Sequence, residues 1–155
     1  MTSPPASGRV LVLNGPNLGR LGSREPEVYG SDTHDDLADA LVAAGAELGL
    51  DVEVRQSDDE ATLVGWLHEA VDTRAEVVLN PAAFTHYSYA LRDACAQVTG
   101  AGLRLIEVHL SNPAAREGFR HTSVVSGVAT GTIAGFGSDS YLLGLSVLAP
   151  EPDPG

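Results

Sequence analysis

The stretch Leu11-Val-Leu-Asn-Gly-Pro-Asn-Leu-Gly-Arg-Leu-Gly-Ser-Arg-Glu-Pro-Glu-Val-Tyr-Gly30 decides how the rest of the chain is read. It continues an apolar run, Val10–Leu13, of the kind a buried parallel strand uses. It then passes into a long polar loop carrying Asn14, Asn17, Arg20, Arg24 and Tyr29. Compact α/β domains join strand to helix with roughly 2–6 residues. A much longer connection marks a lid or a binding loop. Open parallel sheets bind ligands beyond the carboxyl ends of their strands, which is where this loop lies.

Working outward, strand and helix patterns alternate five times. After the loop, Leu37, Leu41, Ala44 and Leu48 follow helical spacing and predict a helix over about Thr33–Leu48, with Ser31, Asp32 or Thr33 as its N-cap and Gly49 as its stop. Val52–Gln56 reads as strand two. Asp58 and Asp59 open a second helix carried by Leu63, Leu67 and Ala70. Val77–Asn80 is strand three, ended by Pro81. A third helix spans about Ser88–Thr99, with Leu91, Ala94, Cys95 and Val98 inward. Leu103–His109 is strand four, followed by a short helical turn near Pro113–Gly118. Val128–Gly135 is strand five, and Ser138–Leu148 the last helix. Five such units in 155 residues predict a five-stranded parallel sheet with helices on both faces, in the order 2-1-3-4-5. Its switch point falls between strands one and three. The site is therefore expected at the ends of strands one, three and four, where Asn14, Asn17, Asn80, Glu107 and His109 fall.

Residues 9–149 are expected to form a single catalytic domain, with 1–8 a disordered lead-in and 150–155 a flexible tail. The formal net charge is −12, from 21 acidic against 9 basic residues, all of them arginine. Such a surface repels phosphate backbones and anionic lipid, so neither nucleic acid nor membrane is an expected partner. No run reaches the ~18–20 apolar residues of a membrane span. The opening residues lack the basic and apolar regions of a signal peptide. A single cysteine, Cys95, forms no intrachain disulfide and reads as a small core residue; a cytoplasmic location is the expectation.

The chemistry concentrates in three places. In Leu105-Ile-Glu-Val-His-Leu-Ser111, Glu107 and His109 alternate onto one face of a strand. A carboxylate beside an imidazole fixes its tautomer and raises its basicity, as a general acid or base needs. The alternatives are a structural Glu–His hydrogen bond and a metal site, for which a third ligand is missing. In the first loop, Arg24 stands near Tyr29, and a cation beside a phenol lowers its pKa; alone, Tyr29 reads as an aromatic anchor for the loop. Gly19, Gly22 and Gly30 suit a loop that opens and closes. The loop is neither a phosphate loop nor a dinucleotide fingerprint, since strand two ends in Arg55-Gln56. Around strand three, Ala82 and Ala83 let backbone amides approach a ligand, and a helix N-terminus near Ser88 favours an anion. His86 is a ligand contact or a surface histidine. Beyond strand four, Arg120 suits a polyoxygenated anion. His34, His68 and His121 read as structural or surface residues, and Trp66 as a core or interface residue.

Together, the segments Leu13-Asn-Gly-Pro-Asn-Leu-Gly-Arg-Leu-Gly-x-Arg-Glu-Pro-x-x-Tyr-Gly30, Arg55-Gln-Ser57, Asn80-Pro-Ala82 with Thr85-His86, Glu107-Val-His-Leu-Ser-Asn112 and Arg116-Glu-x-Phe-Arg120 closely resemble type II 3-dehydroquinate dehydratase. The match runs in order from about Val10 to Leu148. The resemblance implies a flavodoxin-like subunit, a three-layer sandwich, assembled as a dodecamer built from four trimers. It implies reversible anti dehydration of 3-dehydroquinate to 3-dehydroshikimate through an enolate, in the shikimate pathway or in quinate breakdown, with no cofactor and no metal. By position, Tyr29 resembles the base that takes the C2 proton, with Arg24 lowering its pKa. Asn17 resembles the residue holding the water that stabilises the enolate. His109 resembles the acid that protonates the departing hydroxyl, oriented by Glu107. Asn80, His86, Arg120 and the backbone at Leu110-Ser111 resemble substrate contacts. Asp93 resembles a residue reaching a neighbouring subunit's site. Thr122 stands where the family commonly has a second histidine, Ser138-Asp-Ser140 departs from a common Gln-Gly before Tyr141, and Ala83-Phe84 replaces the more usual Gly-Tyr. A non-catalytic assembly protein on this fold is the rival reading; it would tolerate loss of Arg24, Tyr29 or His109, and all three are present. A flavin carrier would need a Ser/Thr-rich loop after strand one, and Gly-Pro-Asn-Leu is not that.

Overall fold

A computed structural model describes residues 4–23 and 32–151. Parallel strands β1 (Arg9–Asn14), β2 (Asp51–Gln56), β3 (Glu76–Asn80), β4 (Leu105–His109) and β5 (Gly131–Ala134) alternate with helices α1 (His34–Glu47), α2 (Glu60–Thr73), α3 (Tyr89–Gly100) and α4 (Asp139–Leu148). The sheet order is β2-β1-β3-β4-β5, all neighbours parallel, as the alternation predicts.

The inner strands β1, β3 and β4 are apolar because both faces are covered. On one face, Leu11, Leu13, Val77, Leu79 and Leu105 pack against Leu63 and Leu67 of α2 and Leu91 and Val98 of α3. On the other, Val10, Val12, Val78, Ile106 and Val108 pack against Leu37 and Leu41 of α1 and Tyr141 and Leu145 of α4. Alternation along β4 therefore turns Ile106 and Val108 to the α1/α4 side. It turns Leu105, Glu107 and His109 to the α2/α3 side. Cys95 is fully buried in the α2/α3 core, as expected of a small apolar residue. Burial and the Glu107 charge push its thiol up to about 12, which leaves it an inert neutral group.

Helix ends follow the polar residues that the sequence offers. Thr33 caps α1 in a capping box with Asp36. Asp59 accepts from Ala61 N–H at the start of α2, and Ser88 from Leu91 N–H at the start of α3. Asp58 lies outside α2 and serves the first loop instead. Two strands are shorter than the apolar pattern predicts. β4 begins at Leu105, and β5 spans only Gly131–Ala134. Val124, Val125, Val128 and Ala129 join the α2/α3 core from a turn, so their hydrophobicity reports burial and not a ladder. The single helical turn expected near Pro113–Gly118 is two 3-10 turns, Pro113–Ala115 and Gly118–His121. A further 3-10 turn, Ala82–His86, follows β3.

The order 2-1-3 sends the connections from β1 and β3 to opposite faces, which opens a crevice at the carboxyl edge. Asn14 and Asn80 are register partners at that edge. The chain beyond them stays close, since Gly15 N–H donates to the Asn80 carbonyl at 2.9 Å. A Cβ at position 15 would stand 2.7 Å from the Pro81 carbonyl oxygen, so only glycine passes here.

Candidate active site

The crevice is lined by Pro16, Asn17 and Leu18 from the first loop, Asn80, Ala82, Ala83 and His86 after β3, and His109, Leu110, Ser111, Pro113, Arg116 and Arg120 after β4. It holds about 570 Å³ of empty space, part of it open to solvent. Three strand ends thus converge as the topology requires. Of the residues expected to act, Asn17, Asn80, His86, His109, Leu110, Ser111 and Arg120 meet here. Glu107 stands behind His109. Arg24 and Tyr29 lie outside the described residues. Asp93 is on α3, exposed and paired with Arg92 at 2.8 Å, and is not part of the lining.

His109 is mostly buried, and its Nε2 lies 2.5 Å from Glu107 Oε2. Glu107 is 1% exposed. Burial alone would push its carboxyl up. Hydrogen bonds from His109, Ser126 and Ser123 more than offset that and hold it below the usual carboxylate range. An ionised carboxylate only accepts, so Nε2 carries a proton and Nδ1 remains for exchange with a ligand. Among the described residues, no group of three His, Cys, Asp or Glu side chains is placed to hold a metal.

The first loop is pinned to the end of β2 at Gly15 and Asn17. Asn17 adopts φ 71°, a left-handed conformation that asparagine tolerates. Its N–H donates to Asp58 Oδ1 at 2.9 Å, and Gln56 Nε2 donates to the same oxygen and to the Gly15 carbonyl. The Asn17 backbone bond, with that from Gln56, lowers the Asp58 pKa.

After β3, Ala82 has φ 52°, costly for a residue with a Cβ, roughly 1–3 kcal/mol. Asn80 Oδ1 accepts from Ala82 N–H at 3.1 Å, and Thr85 Oγ1 donates to the Ala82 carbonyl at 2.6 Å. These bonds hold the turn that aims Ala82, Ala83 and His86 into the crevice. The anion subsite expected at the α3 N-terminus is not part of the lining. Ser88 is buried, caps that helix itself and donates to Glu60 Oε2. His86 Nδ1 lies 2.8 Å from the Thr122 carbonyl. A carbonyl only accepts, so Nδ1 donates and Nε2 is the face offered to a ligand. Position 122 thus contributes backbone, and its departure from the common histidine costs this contact nothing.

Arg120 Nε is held by Glu117 at 3.1 Å, and its guanidinium stacks 4.7 Å from the Phe119 ring. Arg116 also lines the crevice, with Nη1 3.3 Å from Ser111 Oγ. Its position after strand four is visible in the sequence; its inward aim is set by the turn. Behind Asn80 runs a buried polar string that no periodicity reveals. Asn80 Nδ2 donates to the Tyr141 hydroxyl at 2.9 Å, which donates to Asn14 Oδ1 at 2.6 Å. Asn14 Nδ2 then meets His34 Nε2 at 3.0 Å. Burial lowers the His34 pKa, which favours the neutral ring that accepts. His34 is therefore structural, as its pattern suggests, while His68 is exposed and His121 Nε2 sits 3.0 Å from the Arg116 carbonyl.

The comparisons with known proteins agree with this geometry. The family profile described as Dehydroquinase class II matches residues 8–149. The 3-dehydroquinate dehydratase of Salinispora arenicola is 62% identical over 141 residues, covering 91% of this chain and 96% of that protein. The enzyme of that name from Mycobacteroides abscessus is 57% identical over 136 residues, covering 88% and 92%. A type II dehydroquinase structure from Propionibacterium acnes superposes with a TM-score of 0.89 at 58% identity, covering 96% of this chain and all of that one. With profile, relatives, fold and crevice in agreement, this chain belongs to the class II dehydroquinase family.

Proposed function

We propose that this chain is a 3-dehydroquinate dehydratase, a lyase of the shikimate pathway that removes water from 3-dehydroquinate to give 3-dehydroshikimate. The observation that carries the reading is the Glu107–His109 pair, buried behind and open into a crevice lined by amide, imidazole and guanidinium groups. These groups suit a hydroxylated carboxylate, and they do so within a protein of net charge −12.

The reaction needs a strong base, because a proton beside a ketone is weakly acidic, and a stabilised enolate. Tyr29 as phenolate, with Arg24 lowering its pKa, takes the C2 proton. Asn17 holds a water against the enolate oxygen. His109 passes its Nδ1 proton to the departing hydroxyl, and the ionised Glu107 stabilises the imidazolium until it does. Asn80, His86, Arg120 and the backbone at Leu110-Ser111 hold the substrate, and Asp93 serves the site of a neighbouring copy. The assembly is a dodecamer of four trimers. None of these steps draws on a cofactor.

The test is the ultraviolet absorbance of the conjugated enone product, followed for wild type, Tyr29→Phe and His109→Asn. Wild type is expected to form product. Each variant is expected to lose about 10²–10⁴ in kcat, the usual worth of a positioned acid or base. Folded wild-type protein that forms no product would overturn the reading. Variants with undiminished kcat would overturn the roles of Tyr29 and His109.

A further inference from the structure

Glu107 is buried, yet among the described residues only one of its hydrogen-bond partners belongs to the crevice. The others come from the turn between the second 3-10 turn after β4 and β5. Ser126 Oγ lies 2.7 Å from Glu107 Oε1, and Ser123 Oγ lies 3.2 Å from both carboxylate oxygens.

The direction of these bonds follows from counting. A hydroxyl has one proton and two lone pairs. Ser123 Oγ accepts the N–H groups of Val125 and Ser126, at 3.1 and 3.0 Å. Its lone pairs are filled, so its proton turns to the carboxylate. Ser126 Oγ accepts from Thr132 Oγ1 at 3.4 Å, so its proton turns to Glu107 as well. Glu107 is thus ringed by donors: two hydroxyls and the His109 Nε2–H. In register its neighbours are Leu79 and Thr132. From α3, Cys95 is the titratable group that feels its charge, and that thiol is neutral. A proton on the carboxyl would point at groups that already donate.

We propose that Ser123 and Ser126 are positioning residues of the dehydration, whose hydroxyls hold Glu107 ionised and so keep the shared proton on His109. The proposal rests on the reading of His109 as the acid of a dehydratase. Without the hydroxyls, the state with Glu107 ionised and His109 neutral is destabilised most, because among the described residues only the uncharged His109 Nε2–H then remains to offset the charge. The pair then releases its proton at higher pH. More of the population also holds that proton on the carboxyl, which leaves His109 a neutral imidazole whose Nδ1–H is a far weaker acid toward the leaving hydroxyl.

The turn is local and Ser126 is otherwise exposed, so Ser126→Ala is expected to leave the assembly folded. It should lower kcat about 10-fold with KM little changed, and move the alkaline limb of the kcat profile upward. Ser126→Thr, which keeps the hydroxyl, should restore both. Hydrogen–deuterium exchange at the imidazole C2, mapped to His109 by mass spectrometry, reads the pair without turnover. Its midpoint should rise in Ser126→Ala and in Ser123→Ala. In a Glu107→Gln background, adding Ser126→Ala should shift nothing further. A fall in kcat with unmoved pH limb and exchange midpoint would make the serines merely structural and overturn the proposal. A moved midpoint with unchanged kcat would overturn it equally, since the serines would then tune a pair the reaction does not use. Failure of the dehydratase reading itself shows separately, as wild type without product.

Discussion

Asn80 is committed at both ends of its amide, and this decides what a substitution near it does. Its oxygen holds the strained turn at Ala82, while its nitrogen donates to Tyr141. Tyr141 is fully buried, and burial raises its pKa, so it stays a neutral phenol that both donates and accepts. Tyr141→Phe leaves Asn14 Oδ1 and Asn80 Nδ2 short of a buried partner. The expected cost is roughly 1–3 kcal/mol of stability, with a fall in kcat/KM as Asn80 loses its anchor. Urea unfolding and steady-state kinetics check both. Thr122→His should, by contrast, leave kcat/KM within about twofold, because His86 uses only the carbonyl of that residue. A larger loss would show that the side chain at 122 matters. Asn14, Asn80, Glu107 and His109 are legible in the sequence as polar residues ending apolar strands. Ser123, Ser126 and Tyr141 are not, because their partners lie across the fold and no spacing along the chain encodes them.

Among elements, β2 is one of the two edge strands, and it is charged where the inner strands are apolar. Arg9, Glu53, Arg55 and Glu69 form a network between β1, β2 and α2 with distances of 2.7–3.0 Å, and Arg55 also lies over Trp66. Such a row of charges discourages unwanted strand pairing. The Arg55 hydrogen bond, with help from Arg9, holds the Glu69 carboxyl at about 2. The folded pKa is below its ordinary value of 4.5, so this stabilisation is fully present above pH 4.5. It is lost as pH falls through the range down to about 2. Glu69→Gln should therefore lower the unfolding midpoint by a constant amount from pH 7 to pH 5, and by a shrinking amount below. A difference independent of pH would refute the assignment. Element order and type are legible because periodicity and capping agree along the chain. The strand ends are not, since Leu103 and Val128 are apolar for packing reasons that a ladder does not share.

For the whole molecule, the switch point between β1 and β3 gathers residues from three strand ends into one crevice, while Asp93 remains outside it. That exposed carboxylate acts on catalysis only if a neighbouring copy brings a site to it. Light scattering is expected to give twelve times the 16.1 kDa chain mass, and Asp93→Asn to lower kcat/KM about 10-fold without changing that mass. A smaller assembly, or unchanged kinetics, would refute the shared site. Among the described residues no helix is long and apolar enough to cross a membrane. The sequence by itself determined the alternation, the parallel sheet and the identity of the strand-end polar groups, because burial on two faces and capping are local demands that residue types must meet. Only the tertiary structure decided which of those groups face one another. Hydrogen-bond direction at Glu107, the string behind Asn80 and the use of a carbonyl at Thr122 depend on distances between segments far apart in the chain. Those distances exist only once the layers have packed.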